Sequence, residues 1–286
     1  MKFWNREREK EWLKRYLKTE PNAILFVYGP KSSGKSTLMV KVAQELKNDP
    51  IEFLWYDLRK YAIEKMEDAI SILLGAKGHH TALTKLFDIN LFFVSIKAEE
   101  LMKVFKKEKD PFVLLENELV KLKVNHVSHV IVMTSDTFLI EEVYANSALK
   151  NTSRFYLVDY FDDETTSEIL REKLPEEQAK RISEWIGGVP WMIEEILESE
   201  DREKTLEEMY KQSRAKLEGF LLECEDEETS KEILRKVLEG GYKPSRGEMK
   251  TSKRLVEAEI LFYDPLRREI RFRTRLDEKV AREILN

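Results

Sequence analysis

One cysteine, Cys224, stands in 286 residues, which excludes an internal disulfide framework and a zinc site built from several thiolates. An ordinary buried or half-buried thiol is its expected state. The four histidines are too scattered for a metal cluster, and the adjacent His79 and His80 are expected to be a solvated pair. No apolar run approaches the ~18 residues of a membrane span, and the opening "MKFWNREREKEW" lacks the apolar centre of a signal peptide. A soluble, cytoplasmic protein with no membrane partner is the expectation. Charge is abundant: 36% of residues are charged, Lys and Arg (49) nearly balance Asp and Glu (54), and glutamine is scarce. That profile suits ion-pair networks at high temperature and suggests a thermophile source. The 42% of apolar residues is ample for a core, and the length suits two or three modules.

The most informative stretch is "FVYGPKSSGKSTLMVKV", residues 26–42. Gly29, Gly34, Lys35 and Ser36 fit G-x-x-x-x-G-K-[ST], with an apolar run, 23–28, entering the loop and a helical pattern leaving it. Strand, loop and helix in that order let backbone N–H groups curl round a phosphate at the positive end of the helix. In such a loop Lys35 reaches the terminal phosphates and the Ser36 hydroxyl ligates magnesium. Four fixed positions match by chance in roughly one chain of this length in a hundred, before the flanking pattern is counted.

Around the loop the order is β-α-β, which argues for a parallel sheet with crossover helices. Asn5 is placed to cap a first helix with Trp12, Leu13, Tyr16 and Leu17 on its apolar face. Strands are expected in "IEFLWYDLR" from Ile51, in the alternating "INLFFVSI" from Ile89, in "HVIVMTSD" (129–136) and in "RFYLVDYF" (154–161). From Asp162 the pattern turns helical, with Pro175 opening one helix, Gly187 and Gly188 stopping it, and Pro190 starting another. Residues 198–228 hold twelve acids against five bases and read as a solvated helical connector. After it, Thr229 or Ser230 is placed to cap "KEILRKVLEGG", and "EILFYDPLRREIRFRT" reads as two strands joined near Asp264 and Pro265. Helix, helix and hairpin suggest a winged helix-turn-helix. Between Lys243 and Arg275 ten bases face five acids, and Arg271, Arg273 and Arg275 alternate along one predicted strand face that could grip phosphates. A solvated edge strand kept soluble by arginines is the equal alternative.

A phosphate-transferring loop of this kind normally works beside an acid at the end of a buried strand. Three places offer one. "FVLLENE" (112–118), with Glu116, follows a cap at Asp110 and Pro111 and has helical spacing. Asp57 ends a strand that follows the loop helix directly and is expected beside the loop strand. Asp136, in "TSD", stands where a polar residue would sense the γ-phosphate. None fits well.

Taken together, "FWNRERE", "VYGPKSSGKST", "WYDLR", "VIVMTSDTFLIEEVY", "RFYLVDYFDDET", "GGVPWMIEEIL" and "LVEAEILFYDPLRREIRFRTRL" resemble the archaeal ATPase family of P-loop proteins. The resemblance implies an α/β fold: a P-loop NTPase core with a parallel sheet, AAA-like, then a helical lid and a C-terminal winged helix. It divides the chain into 1–161, 162–228 and 229–286, and it implies ATP and Mg2+ as ligands. Gly29, Pro30, Lys31, Ser32, Ser33, Gly34, Lys35, Ser36 and Thr37 would hold the phosphates, with Ser36 on the metal. Thr134, Ser135 or Asp136 would act as sensor, Asn5 and Arg6 would border the adenine, and Pro190 would close the lid. Family members carry a further strand with the acid, and a helix, before the sensor strand. Here Lys121–Lys123 run almost directly into "VNHVSHVIVMTSD", so roughly 25 to 40 residues of ordinary element length are absent. Either the acid is lost, or residues belong between Lys123 and Val124 that this sequence lacks. A nucleotide-dependent ATPase switch coupled to double-stranded DNA or a protein partner is the function implied. A hydrolysis-deficient nucleotide-binding scaffold is the rival, and a small-molecule phosphotransferase needs neither lid nor winged helix.

Overall fold

The computed structural model describes residues 4, 6–20, 22–47, 49, 54–57, 91–95, 129–145 and 151–285. They fall into two compact units, one of residues 6–158 and one of residues 1–5 with 159–286. The expected helix at 112–118 with Glu116, the junction at Lys123, and Asn5 lie outside the described residues.

The first unit is a five-stranded parallel sheet. Its strands are β1 (Ile24–Tyr28), β2 (Leu54–Asp57), β3 (Leu91–Ser95), β4 (His129–Thr134) and β5 (Ser153–Leu157), in the order β2-β3-β4-β1-β5. All residues of β1 and β4 are buried, as continuous apolar runs in parallel sheets require when both faces are covered. Helix α1 (Glu7–Leu17) buries Leu13, Tyr16 and Leu17, and its Trp12 ring stacks on Tyr156 at 4.2 Å. Lys10 and Lys14 of α1 both pair with Glu45 of helix α2 (Lys35–Glu45), joining the two helices. Helix α3 (Thr137–Ala145) follows β4 directly.

Two expectations change here. Asp57 does not stand beside the loop strand, because β3 and β4 intervene between β2 and β1. The strand slot next to β4 is not empty either. Leu91–Ser95 fills it, pairing with β2 on one side and β4 on the other. The strand pairs on both sides, so it covers edges of β2 and β4 that would otherwise present a row of unpaired backbone groups.

The imidazole of His129, at the start of β4, donates from Nε2 to Thr19 O at 2.9 Å and tilts against the Tyr16 ring. Burial holds its pKa below the ordinary 6.5. The neutral ring's contribution to stability is therefore present above about pH 6.5 and lost as pH falls through the folded value. The urea midpoint should drop between pH 7 and pH 5, and His129→Gln should flatten that part of the profile. An unchanged slope in the variant would assign the acid sensitivity elsewhere.

The second unit is helical with one hairpin. Its helices are α4 (Asp163–Arg171), α5 (Glu176–Ile186), α6 (Pro190–Glu198), α7 (Arg202–Glu223), α8 (Glu227–Glu239), α9 (Met249–Glu257) and α10 (Arg275–Leu285). The hairpin is β6 (Leu261–Asp264) and β7 (Glu269–Phe272). Asp162 caps α4 by accepting from Thr165 N at 2.8 Å. A core of Ile169, Leu170, Ile182, Ile186, Ile193 and Ile196, closed by Trp4 and by Leu276 of α10, holds the first helices together.

Several boundaries differ from the sequence reading. The strand expected to run to Phe161 ends at Leu157, and Phe161 instead forms an antiparallel bridge with Gly188. Helix α8 begins at Glu227, ahead of Thr229 and Ser230, because Ser230 Oγ donates back to Asp226 O at 2.9 Å inside the helix rather than capping it. Helix α10 was not anticipated. Thr274 starts it, its Oγ1 accepting from Asp277 N and donating to Asp277 Oδ2, while Ser213 and Lys216 of α7 satisfy the other carboxylate oxygen of buried Asp277. The signal was present as Leu276, Val280 and Ala281 behind a threonine.

Candidate nucleotide site

β1 ends at Tyr28 and α2 starts at Lys35, so residues 29–34 make the turn between them. The turn needs its glycines and strains one serine. Gly29 has φ 151, and a Cβ there would lie 2.2 Å from Val158 O, because Val158 N donates to Tyr28 O just alongside. Gly34 has φ 89 and Ser32 φ 63, the left-handed region that residues with a Cβ rarely occupy. The cap position of α2 is Gly34, which has no side chain to cap the first turn, and the positive end of the helix opens at the loop.

Lys35 is buried. Its Nζ donates to Gly29 O at 3.0 Å and Pro30 O at 2.8 Å and reaches Ser33 Oγ at 3.4 Å. Burial, and secondarily the charge of Arg6, pull its pKa down to about 7. Arg6 is buried as well. Its Nη2 donates to Ser33 O at 2.9 Å and its Nη1 pairs with Glu9 at 2.7 Å, so this residue braces the loop backbone from α1. Lys31, Ser32 and Ser36 are exposed, Ser33 is buried and Thr37 half-buried.

Thr134 lies in the same row as Tyr28 across the β1–β4 pairing, which sets the end of β4 beside the loop. Its Oγ1 accepts from Asp136 N at 3.0 Å. Asp136 Oδ1 accepts from Phe138 N and Leu139 N at the start of α3. Ser135 is exposed. Along the row Val27, Met133, Ser95 and Asp57, three strand spacings separate Asp57 from β1, about 14 Å. The register position after the apolar residues Leu91–Val94 is held by Ser95. Among the described residues no group of three or more His, Cys, Asp or Glu could hold a metal. The donor set of the loop fits a nucleotide phosphate, and Ser36 is the one magnesium ligand that the motif provides. A magnesium ion held there by Ser36 would supply charge neutralisation at the phosphates.

Pro190 is the first residue of α6 in the second unit and is buried. The three arginines proposed for DNA do not share one strand face, because β7 stops at Phe272 and Arg275 belongs to α10. Arg271 donates to both oxygens of Asp159 at 2.5 and 2.7 Å and lies over the Phe262 ring. Arg273 pairs with Glu259, and Arg275 with Asp163 and Ser183 O.

The family model described as an ATPase domain predominantly from Archaea matches residues 3–196. The chain belongs to this family. An uncharacterized ATP-binding protein of Methanocaldococcus jannaschii is 35% identical over 322 aligned positions, covering 92% of this chain and 89% of the relative. A second one from the same organism is 33% identical over 337 positions, covering all of this chain and 98% of the relative. Those 337 positions exceed the 286 residues here by about fifty, so this archaeal ATPase-family chain lacks internal residues that the relative carries. Among solved structures, the ORC2 protein of Aeropyrum pernix in its ADPNP–ADP complexes is similar over 99% of this chain and 95% of that one, with 13% identity and a TM-score of 0.52. That likeness establishes the P-loop fold class. No described helix of the chain is long and apolar enough to cross a membrane.

Proposed function

We propose that this chain binds ATP with Mg2+ in the loop of residues 29–37 and works as a nucleotide-dependent switch, hydrolysing ATP slowly and coupled to duplex DNA or a protein partner. The observation that carries the reading is the loop itself: a left-handed Gly34, an uncapped helix start, and a buried Lys35 held on loop carbonyls that a phosphate would displace. In this reading the N–H groups of residues 31–35 cradle the phosphates, Lys35 neutralises the γ-phosphate, Ser36 holds the metal and Thr37 supports the α-phosphate. Thr134 or Ser135 senses the γ-phosphate. Arg6 and Asn5 border the base, and Pro190 closes from a lid of residues 162–228. Residues 229–286 form the output module, with a winged-helix arrangement of α8, α9 and the β6–β7 hairpin.

A second reading, a nucleotide-binding scaffold without turnover, is favoured by Ser95 at the end of the strand next to the sensor strand and by the commitment of Asp136 to a helix cap. Electrostatic stabilisation of the transferred group is the largest contribution in such sites. Steady-state turnover is therefore expected at least about a hundredfold below that of relatives that keep an acid at that position. Phosphate release measured with saturating ATP and magnesium, with and without duplex DNA, separates the readings. Turnover of about one per second would mean that another carboxylate does this work, whereas tight ATP binding with no release in either condition would favour the scaffold.

A further inference from the structure

The C-terminal hairpin and the segment entering α9 carry five exposed cations, of which Arg267 lies 3.6 Å from its near neighbour Asp264. Tyr242 bridges antiparallel to Ile270, with Ile270 N donating to Tyr242 O at 2.8 Å. This contact pairs the residue just before Lys243 with β7, two positions after Arg268. Lys243, Arg246 and Lys250 are exposed on that segment and the first turn of α9, and Arg267 and Arg268 are exposed at the hairpin tip. Arg268 is held at φ 55, a strained conformation for a residue with a Cβ, and Asp264 fixes the turn by accepting from Leu266 N and Arg267 N. The acids near this cluster are already engaged or few. Glu248 accepts from Ser245 N and pairs with Lys236, Asp264 is buried beneath Arg267, and Glu269 is half-buried.

Arg271, Arg273 and Arg275 differ from this cluster in kind. Each is committed to a carboxylate of its own unit, so a phosphate would have to break an ion pair to reach it. We propose that the surface formed by Lys243, Arg246, Lys250, Arg267 and Arg268 is a docking face for the phosphate backbone of duplex DNA, and that Arg271 and Arg275 instead tie the hairpin and α10 to Asp159 and Asp163 while Arg273 is held by Glu259. This inference rests on the DNA-coupled reading above and assigns its surface. The absence of any aromatic residue from 243–250 and 265–269 argues against single-stranded nucleic acid, which is gripped by stacking its bases on rings. Spaced cations, the exposed Ser245 hydroxyl and the open backbone at Gly247 are what phosphate contacts use, and such contacts carry no base information.

The test is a fluorescence anisotropy titration of the full chain with ATP present, using a labelled duplex of arbitrary sequence over a range of salt. Each phosphate contact releases counterions, so log K falls with log salt at about 0.9 per contact. K243A/R246A/K250A should lower the slope by about two to three and weaken binding more than tenfold at low salt, equally on unrelated sequences. Arg271→Ala should lower thermal stability and leave the slope unchanged. If the wild type binds duplex DNA and the triple variant keeps its slope while R271A loses it, this surface is wrong and the DNA reading stands. If the folded wild-type chain binds no duplex at any salt, the DNA reading itself fails and the inference with it. The charge-reversal variant K243E/R246E guards against a neutral substitution too mild to read, and should abolish binding.

Discussion

Lys35→Ala is expected to weaken ATP binding by at least about a hundredfold while leaving the fold in place, a loss of about 2.7 kcal/mol. A charge-assisted bond contributes about 1.5 to 3 kcal/mol, and the ammonium of Lys35 already sits on the carbonyls of Gly29 and Pro30. Burial does not make it a structural anchor. Its pKa falls from 10.5 to about 7 on folding, which means the folded state disfavours the charged form. Between those values the folded chain binds fewer protons than the unfolded chain, so stability rises with pH there, and the lysine's cost is greatest below about pH 7, where its charge is kept in the buried site. Removing it should leave the melting temperature level or slightly raised. Calorimetric titration with ATP, paired with a melting curve, tests both halves, and unchanged ATP affinity would sink the assignment of the loop.

The same lysine gives the binding a pH dependence. A triphosphate beside Lys35 favours its charged form, so the complex holds the proton to higher pH than the empty loop does. Binding should take up a proton above about pH 7, and ATP affinity should decline as pH rises from 7 toward 9. Titrations in buffers of different ionisation enthalpy would detect the uptake. Lys35→Arg, which stays charged throughout, should lack it.

The second large effect is structural. Gly188→Ala should destabilise the helical unit by about 3 kcal/mol or more, because forcing atoms into a packed site already costs about 1 to 3 kcal/mol and here the obstacle is backbone. An added Cβ would lie 1.8 Å from Phe161 O and 2.5 Å from its carbonyl carbon, distances no rotamer change relieves. Relief requires parting the two segments, which breaks the Phe161 N to Gly188 O bond at 2.9 Å and displaces the start of α6. Gly240→Ala in the same unit meets nothing within 4 Å, yet its φ of 89 is itself strained, so Gly219→Ala, open and within α7, is the cleaner control. Chemical denaturation of the three variants should rank Gly188→Ala far below the others. A loss under about 1 kcal/mol at Gly188 would mean that the bridge yields easily.

The loop, its strand and helix, the order of the five strands along the chain, and the hairpin near Asp264 were legible in the sequence, because each rests on local periodicity and turn chemistry. Serine, glycine and lysine at fixed spacing suffice to state what a loop would bind. Pairing partners are another matter. That Leu91–Ser95 closes the gap between β2 and β4, and that Asp57 stands three strands from the loop, depend on which slots remain when the sheet assembles, and no residue in those segments names its neighbour. The same holds for charge. Arg271, Arg273 and Arg275 read in the sequence as one free face, since alternation is a local signal, whereas their carboxylates come from residues 159 and 163, over a hundred positions away, and from residue 259. An ion pair over such a separation is decided by packing. Local spacing by itself determined that this chain carries a phosphate loop on an α/β core, and tertiary contacts alone decided which of its cations are spent on holding the fold and which are left facing outward.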